Sequence, residues 1–137
     1  MPLNSLTFGK TGEEKAKAYL HKKGYKIISQ NYSSQGGELD IVAFKRGTLV
    51  FAEVKARSSD KFGSPGDAVD DVKKAKIKKA AEGFEREQTK NSKIPVFSRL
   101  LGKNIYKKIK ARRFDIIEVY MTRNFDIEHI NIIENAF

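Results

Sequence analysis

Glu38-Leu39-Asp40-Ile41-Val42-Ala43-Phe44 and Leu49-Val50-Phe51-Ala52-Glu53-Val54-Lys55, joined by Lys45-Arg46-Gly47-Thr48, decide how this chain folds. Both stretches are rich in β-branched and aromatic residues, and Gly47 supplies a turn, so they read as an antiparallel hairpin. With Phe44 facing Leu49, the register puts Val42 opposite Phe51, Asp40 opposite Glu53 and Glu38 opposite Lys55, all on one face. That face is apolar near the turn and charged toward its open end.

Directly opposed side chains have Cβ atoms roughly 5 Å apart, so Asp40 and Glu53 repel unless something lies between them. A hard divalent cation held through oxygens answers that repulsion. Lys55, two residues beyond Glu53 on the same face, then points at whatever the cation holds. The alternative is an ordinary solvated face with a Glu38–Lys55 salt bridge. A one-residue slip of either strand would send its side chains to the other face.

Composition works mainly by exclusion. A chain of 137 residues is one domain's length and buries roughly two thirds of its unfolded surface without staples. The absence of cysteine excludes disulfides, thiolate zinc sites, iron–sulfur clusters and thiol nucleophiles. The two histidines, His21 and His129, are read as incidental. No run approaches the roughly 18 apolar residues of a membrane span. Met1 to Gly9 lacks the charged start and apolar core of a secretory signal, so a cytoplasmic protein with no membrane partner is expected.

The formal net charge is +10. It is concentrated between Gln88 and Arg113, where Lys90, Lys93, Arg99, Lys103, Lys107, Lys108, Lys110, Arg112 and Arg113 occur without one acidic residue. The rest of the chain is nearly neutral. Such a segment attracts polyanions, and nucleic acid is the expected partner. Phe97 and Tyr106 within it either stack on bases or pack into the core. A solvated face, a ribosome or an anionic surface would account for the same charge.

Outward from the hairpin, a first helix is expected from about Thr11 to Lys23, with Thr11 and Glu14 spaced as a capping box and Gly24 as its stop. Ala16, Tyr19 and Leu20 form its apolar face, and Glu13 borders that face within approach of the acidic pair. A first strand follows around Tyr25-Lys26-Ile27-Ile28. A loop from Ser58 to Gly66 leads to a second helix, about Pro65 to Glu87, with Val69, Val72, Ile77, Ala80, Ala81 and Phe84 as its buried stripe and Lys73 beside it. The basic segment reads as a loop with one short helix near Lys103 to Lys110, because Pro95 and Gly102 interrupt it. Phe114 to Met121 and Ile127 to Ile133 are the last strands. The order αβββαββ implies an α/β fold, a mixed β-sheet flanked by helices, with parallel strands joined through the second helix by a right-handed crossover.

Gly9, Gly12, Glu13, Gly24-Tyr25, Asn31, Gly37-Glu38-Leu39-Asp40-Ile41, Phe51-Ala52-Glu53-Val54-Lys55-Ala56-Arg57, Phe62-Gly63, Lys73 and Arg113-Phe114-Asp115 together resemble the pattern of the YraN-like family. That family is restriction-endonuclease-like in fold, similar to archaeal Holliday-junction resolvases and to the wider PD-(D/E)xK nuclease superfamily. The resemblance spans nearly all of residues 9 to 87 and 113 to 137. Two departures stand out: Leu39 occupies the place of the superfamily's motif proline, and the stretch 88–112 is longer than the family pattern leads one to expect.

The resemblance implies that Asp40 and Glu53 are metal ligands, Lys55 the catalytic lysine and Glu13 the acidic residue offered by the first helix. Arg57, Lys73 and Arg113 match its basic positions and, with Lys103 and Lys107 of the charged segment, are the expected nucleic-acid contacts. The activity implied is hydrolysis of phosphodiester bonds in DNA, branched or structured, with Mg2+ or Mn2+ as cofactor. The likeness to resolvases further suggests a homodimer. The alternatives are a catalytically silent nucleic-acid-binding protein of the same fold and an RNA- or ribosome-associated protein.

Overall fold

The structure is a computed structural model that describes residues 5–58 and 69–137. The expected Phe62-Gly63 motif and the helix opening at Ser64-Pro65 lie outside these residues. The elements run α1 (Ser5–Lys22), β1 (Lys26–Ser34), β2 (Gly37–Lys45), β3 (Thr48–Ser58), α2 (Asp71–Gln88), β4 (Lys93–Ser98), β5 (Lys103–Lys108), β6 (Ala111–Met121) and β7 (Ile127–Ile133).

A five-stranded mixed sheet, ordered β1-β2-β3-β6-β7, forms the centre, and β4 and β5 make a separate two-stranded ribbon. Every neighbouring pair is antiparallel except β3 and β6, which run parallel and are joined through α2. This is the expected α/β fold with a mixed sheet flanked by helices, consistent with a restriction-endonuclease-like architecture.

Both faces of the middle strands are covered, which is why β2 and β3 read as almost continuous apolar runs. Ile41, Ala43, Val50, Ala52 and Val54 pack with Phe8, Ala16 and Leu20 of α1. Val42, Phe44, Leu49 and Phe51 pack with Ile77, Ala80, Ala81 and Phe84 of α2. Phe51 lies edge-on to Phe84 and stacks on Phe114, tying β3, α2 and β6 together.

The central hairpin turns through Arg46 and Gly47, both at positive φ, the backbone of a tight two-residue connection whose twist suits its strands. Phe44 pairs with Leu49 and Val42 with Phe51 as expected, but the ladder ends at Ile41–Ala52. Asp40–Glu53 and Glu38–Lys55 are therefore not cross-strand pairs. Leu39 and Val42, three residues apart, both join the α2-side cluster, so the two-residue alternation breaks at Asp40.

Several boundaries differ from expectation. Helix α1 begins at Ser5, and Thr11 makes no cap: its Oγ1 donates to the Thr7 carbonyl one turn back, inside the helix. Gly24, at φ +94°, ends that helix as expected. Helix α2 is capped by Asp70, whose side chain accepts from the Lys73 N–H, so it starts later than Pro65. Val72 is exposed rather than buried, because Lys73 takes the sheet-facing position one turn before Ile77.

The basic segment is corrected most. No helix forms near Lys103 to Lys110; Lys93–Ser98 and Lys103–Lys108 pair as a β-hairpin, and Gly102 at φ +64° lies in its turn. Ile94, Val96 and Ile109 sink into the α2-side core, which fixes the ribbon to the body. The Gly47 carbonyl, accepting from the Lys110 N–H at 2.7 Å, ties the ribbon's exit to the central turn.

Candidate metal and nucleic-acid site

Where β2 parts from β3, the Asp40 carboxylate takes the place of the missing ladder partner. The Val54 N–H donates to Asp40 Oδ2 at 2.8 Å, so a side chain closes the fork between the strands. Glu53, the residue before, is buried at 5% exposure. Its Oε1 lies 2.6 Å from Lys73 Nζ, brought in by the first turn of α2. Gly37 lets α2 approach this closely, since a Cβ there would collide with the Lys76 carbonyl oxygen.

A cavity of about 310 Å³ opens over the group, lined by Gly36, Gly37, Glu38, Asp40, Glu53 and Lys73. Burial, followed by the charge of Glu53, pushes the Asp40 carboxyl up to about 8, and the Val54 donation only partly opposes this. Burial also raises Glu13; the Asn31 amide opposes the rise, while the negative Glu38 and Glu53 add to it. Burial by itself would depress Lys73, but contact with Glu53 and the nearby Asp40 more than offset it, so the ammonium is reinforced.

Asn31, at φ +52° on β1, is the group that sequence reading gave no role. With its amide nitrogen turned inward it donates to Glu38 Oε1 at 3.1 Å and Glu13 Oε2 at 3.2 Å, linking α1 to β2. Its signal in the sequence was its place in the YraN-like pattern; the left-handed backbone, where a short polar side chain is tolerated, shows only in the fold. Glu38 thus turns toward Asn31 and Glu13 rather than toward Lys55.

The structure brings Asp40, Glu53, Glu13 and Lys73 into one neighbourhood. Lys55 approaches the Lys73 amine and lines an adjoining cavity with Arg57 and Glu118. Arg57 Nε donates to Glu118 Oε2 at 2.8 Å. Arg113 is taken up within the protein: it forks onto the buried Asp115 at 2.9 Å and donates to the Tyr25 hydroxyl at 2.8 Å. Lys103 and Lys107 are exposed on the ribbon. That ribbon is anchored at Gly47, six residues and roughly 20 Å along β3 from Glu53.

Asp40 and Glu53 are the pair that could hold a cation. Among the described residues no three His, Cys, Asp or Glu side chains form a complete metal cage. Two carboxylates facing an open cavity nevertheless suit Mg2+, which keeps several waters and takes one or two protein carboxylates. Burial and the Glu53 charge favour the neutral form of Asp40, and the Lys73 ammonium sits on Glu53, so the pair's negative charge is offset where such an ion would otherwise offset it.

A model of the family described as Uncharacterised protein family UPF0102 matches residues 12–119. The chain belongs to the UPF0102 (YraN) family. A UPF0102 protein of Caldicellulosiruptor saccharolyticus is 38% identical over 136 residues, covering 98% of this chain and 100% of the relative. One from Caldanaerobacter subterraneus subsp. tengcongensis is 38% identical over 136 residues, covering 98% of both. A third, from Carboxydothermus hydrogenoformans, is 47% identical over 85 residues, 62% of this chain and 72% of its own length. The family match spans Glu13, Asp40, Glu53, Lys55 and Lys73 as well as the ribbon. Among the described residues of this UPF0102 chain no helix is long and apolar enough to cross a membrane.

Proposed function

We propose that this UPF0102 protein is a metal-dependent nuclease that hydrolyses phosphodiester bonds in DNA. The observation that carries the reading is the fork at the end of the β2–β3 ladder, where Asp40 and Glu53 face one cavity with Lys73 on Glu53 and Lys55 alongside. A carboxylate pair pressed together, with one member held protonated, is a group arranged against its own stability, as functional sites often are.

Asp40 and Glu53 would hold Mg2+ or Mn2+. Such an ion, when bound, polarises a phosphate oxygen and lowers the pKa of a coordinated water. For these two carboxylates to hold it, Lys73 would have to leave Glu53 and Asp40 would have to be ionised. Lys73, on the first turn of α2, would then be free to meet an anionic phosphate. Lys55 orients the attacking water and offsets the negative charge that builds on phosphorus. Glu13, linked through Asn31, helps hold water on the α1 side.

A second reading has its own support. The Lys73–Glu53 pair neutralises the site without an ion, as a catalytically silent nucleic-acid-binding protein of this fold would require. Incubation of Glu53→Ala and Lys55→Ala with labelled branched, single-stranded and duplex DNA in Mn2+ separates the two. Cleavage by the parent that both variants lose, with DNA binding retained, supports the nuclease. Equal cleavage by parent and variants refutes it.

A further inference from the structure

The β4–β5 ribbon has two unlike faces. Its register pairs Phe97 with Asn104, Pro95 with Tyr106 and Lys93 with Lys108, and opposed residues share a face. The alternate residues Ile94 and Val96 are buried in the body, so the first set is the outer face. Phe97 is 56% exposed and Tyr106 58% exposed. Neither ring packs into the core. They are diagonal neighbours, with Cβ atoms about 7–8 Å apart in such a ribbon.

Two exposed aromatic rings are an unfavourable surface unless something covers them. Lys93 and Lys108 border them, Arg99 follows Phe97, and no acidic residue occurs anywhere between Gln88 and Arg113. Phe97 and Asn104, together with Ile94 and Val96 of the inner face, also line a cleft of about 710 Å³ that His21, Lys26 and Ile28 complete. The cleft is large enough for a nucleotide. Flat apolar rings set among cations complement an unpaired strand, which offers a ring face with every base and a negative charge with every phosphate. Duplex DNA hides its ring faces and offers only the charge.

We infer that the outer face of this ribbon is a stacking platform for single-stranded nucleic acid, on which Phe97 and Tyr106 receive neighbouring bases. This deepens the nuclease reading by naming its substrate class, a nucleic acid with an unpaired segment. The ribbon's anchor at Gly47 lies six residues, roughly 20 Å, along β3 from Glu53, so a strand held on the ribbon is gripped away from the acidic fork rather than at it.

The test is fluorescence anisotropy in EDTA with a labelled oligothymidine and a duplex of equal length at matched salt, so binding is read apart from cleavage. The parent should prefer the single strand. Phe97→Ala and Tyr106→Ala should each weaken single-strand binding tenfold or more, leave duplex binding within about twofold, and leave Tm unchanged; Phe97→Tyr should restore the single-strand affinity. Equal losses on both substrates, or no loss, overturn the platform. So does an effect of the alanine variants confined to binding of anionic phosphatidylglycerol vesicles or to oligomeric state, which would make the rings a membrane or self-association surface. Loss of cleavage in Glu53→Ala with single-strand preference intact would leave the platform standing, and a platform failure would leave the fork's chemistry standing.

Discussion

Asp40→Asn should make the protein more stable while removing one ligand of the proposed metal site. The Asp40 carboxyl is raised from 3.8 to about 8, by burial first and the Glu53 charge second. Between those values the folded chain keeps a proton that the unfolded chain releases, so this group's contribution to stability falls as pH rises from about 4 to about 8 and is flat above. At about 1.4 kcal/mol per unit the full span is an upper bound of about 6 kcal/mol. Water reaching the group through the 310 Å³ cavity brings the expected gain at pH 8 to about 2 kcal/mol. Asparagine is nearly isosteric, and its Oδ1 still accepts from Val54. For a chain of this length 2 kcal/mol corresponds to a rise in Tm of about 7 °C. The assay is thermal unfolding of parent and variant at pH 5, 6.5 and 8, with and without Mn2+. The gap should widen with pH, and Mn2+ should raise Tm for the parent alone. A gap that is constant, or reversed at pH 8, refutes the assignment of Asp40 as the strained member of the pair.

Lys73→Met leaves the buried Glu53 without its ammonium, so without divalent ion it should lose about 1–2 kcal/mol of stability, and Mn2+ should restore it; denaturant midpoints with and without the ion measure both. Gly37→Ala drives a methyl into the Lys76 carbonyl and pushes α2 off the sheet. It should cost about 2–3 kcal/mol in denaturant unfolding and, by withdrawing Lys73 from Glu53, alter Mn2+ affinity in a calorimetric titration.

The β2–β3 register near the turn was legible because apolar alternation and a two-residue turn at Gly47 leave little choice of pairing. Its failure beyond Ile41 was not legible, since Asp40 replaces a backbone partner by a carboxylate oxygen, and nothing in local pattern distinguishes that from another cross-strand pair. Asp40, Glu53, Lys55 and Glu13 were named from spacing and resemblance. The role of Asn31 needed three elements to converge before it existed. The ribbon was misread because Pro95, Gly102 and a dense run of lysines carry every local sign of a loop. What makes it a ribbon is Ile94, Val96 and Ile109 finding a core supplied by distant segments.

The interrupted ladder at Asp40 has a consequence for protein engineering. A designer who regularised this sheet, restoring alternation through Leu39 and extending the hydrogen bonds to Glu53, would obtain a tidier scaffold in which the two acids stand as ordinary rungs. Transplanting the four charged residues onto an ideal hairpin would fail for the same reason. The portable unit is the flaw in the weave together with the side chain that mends it.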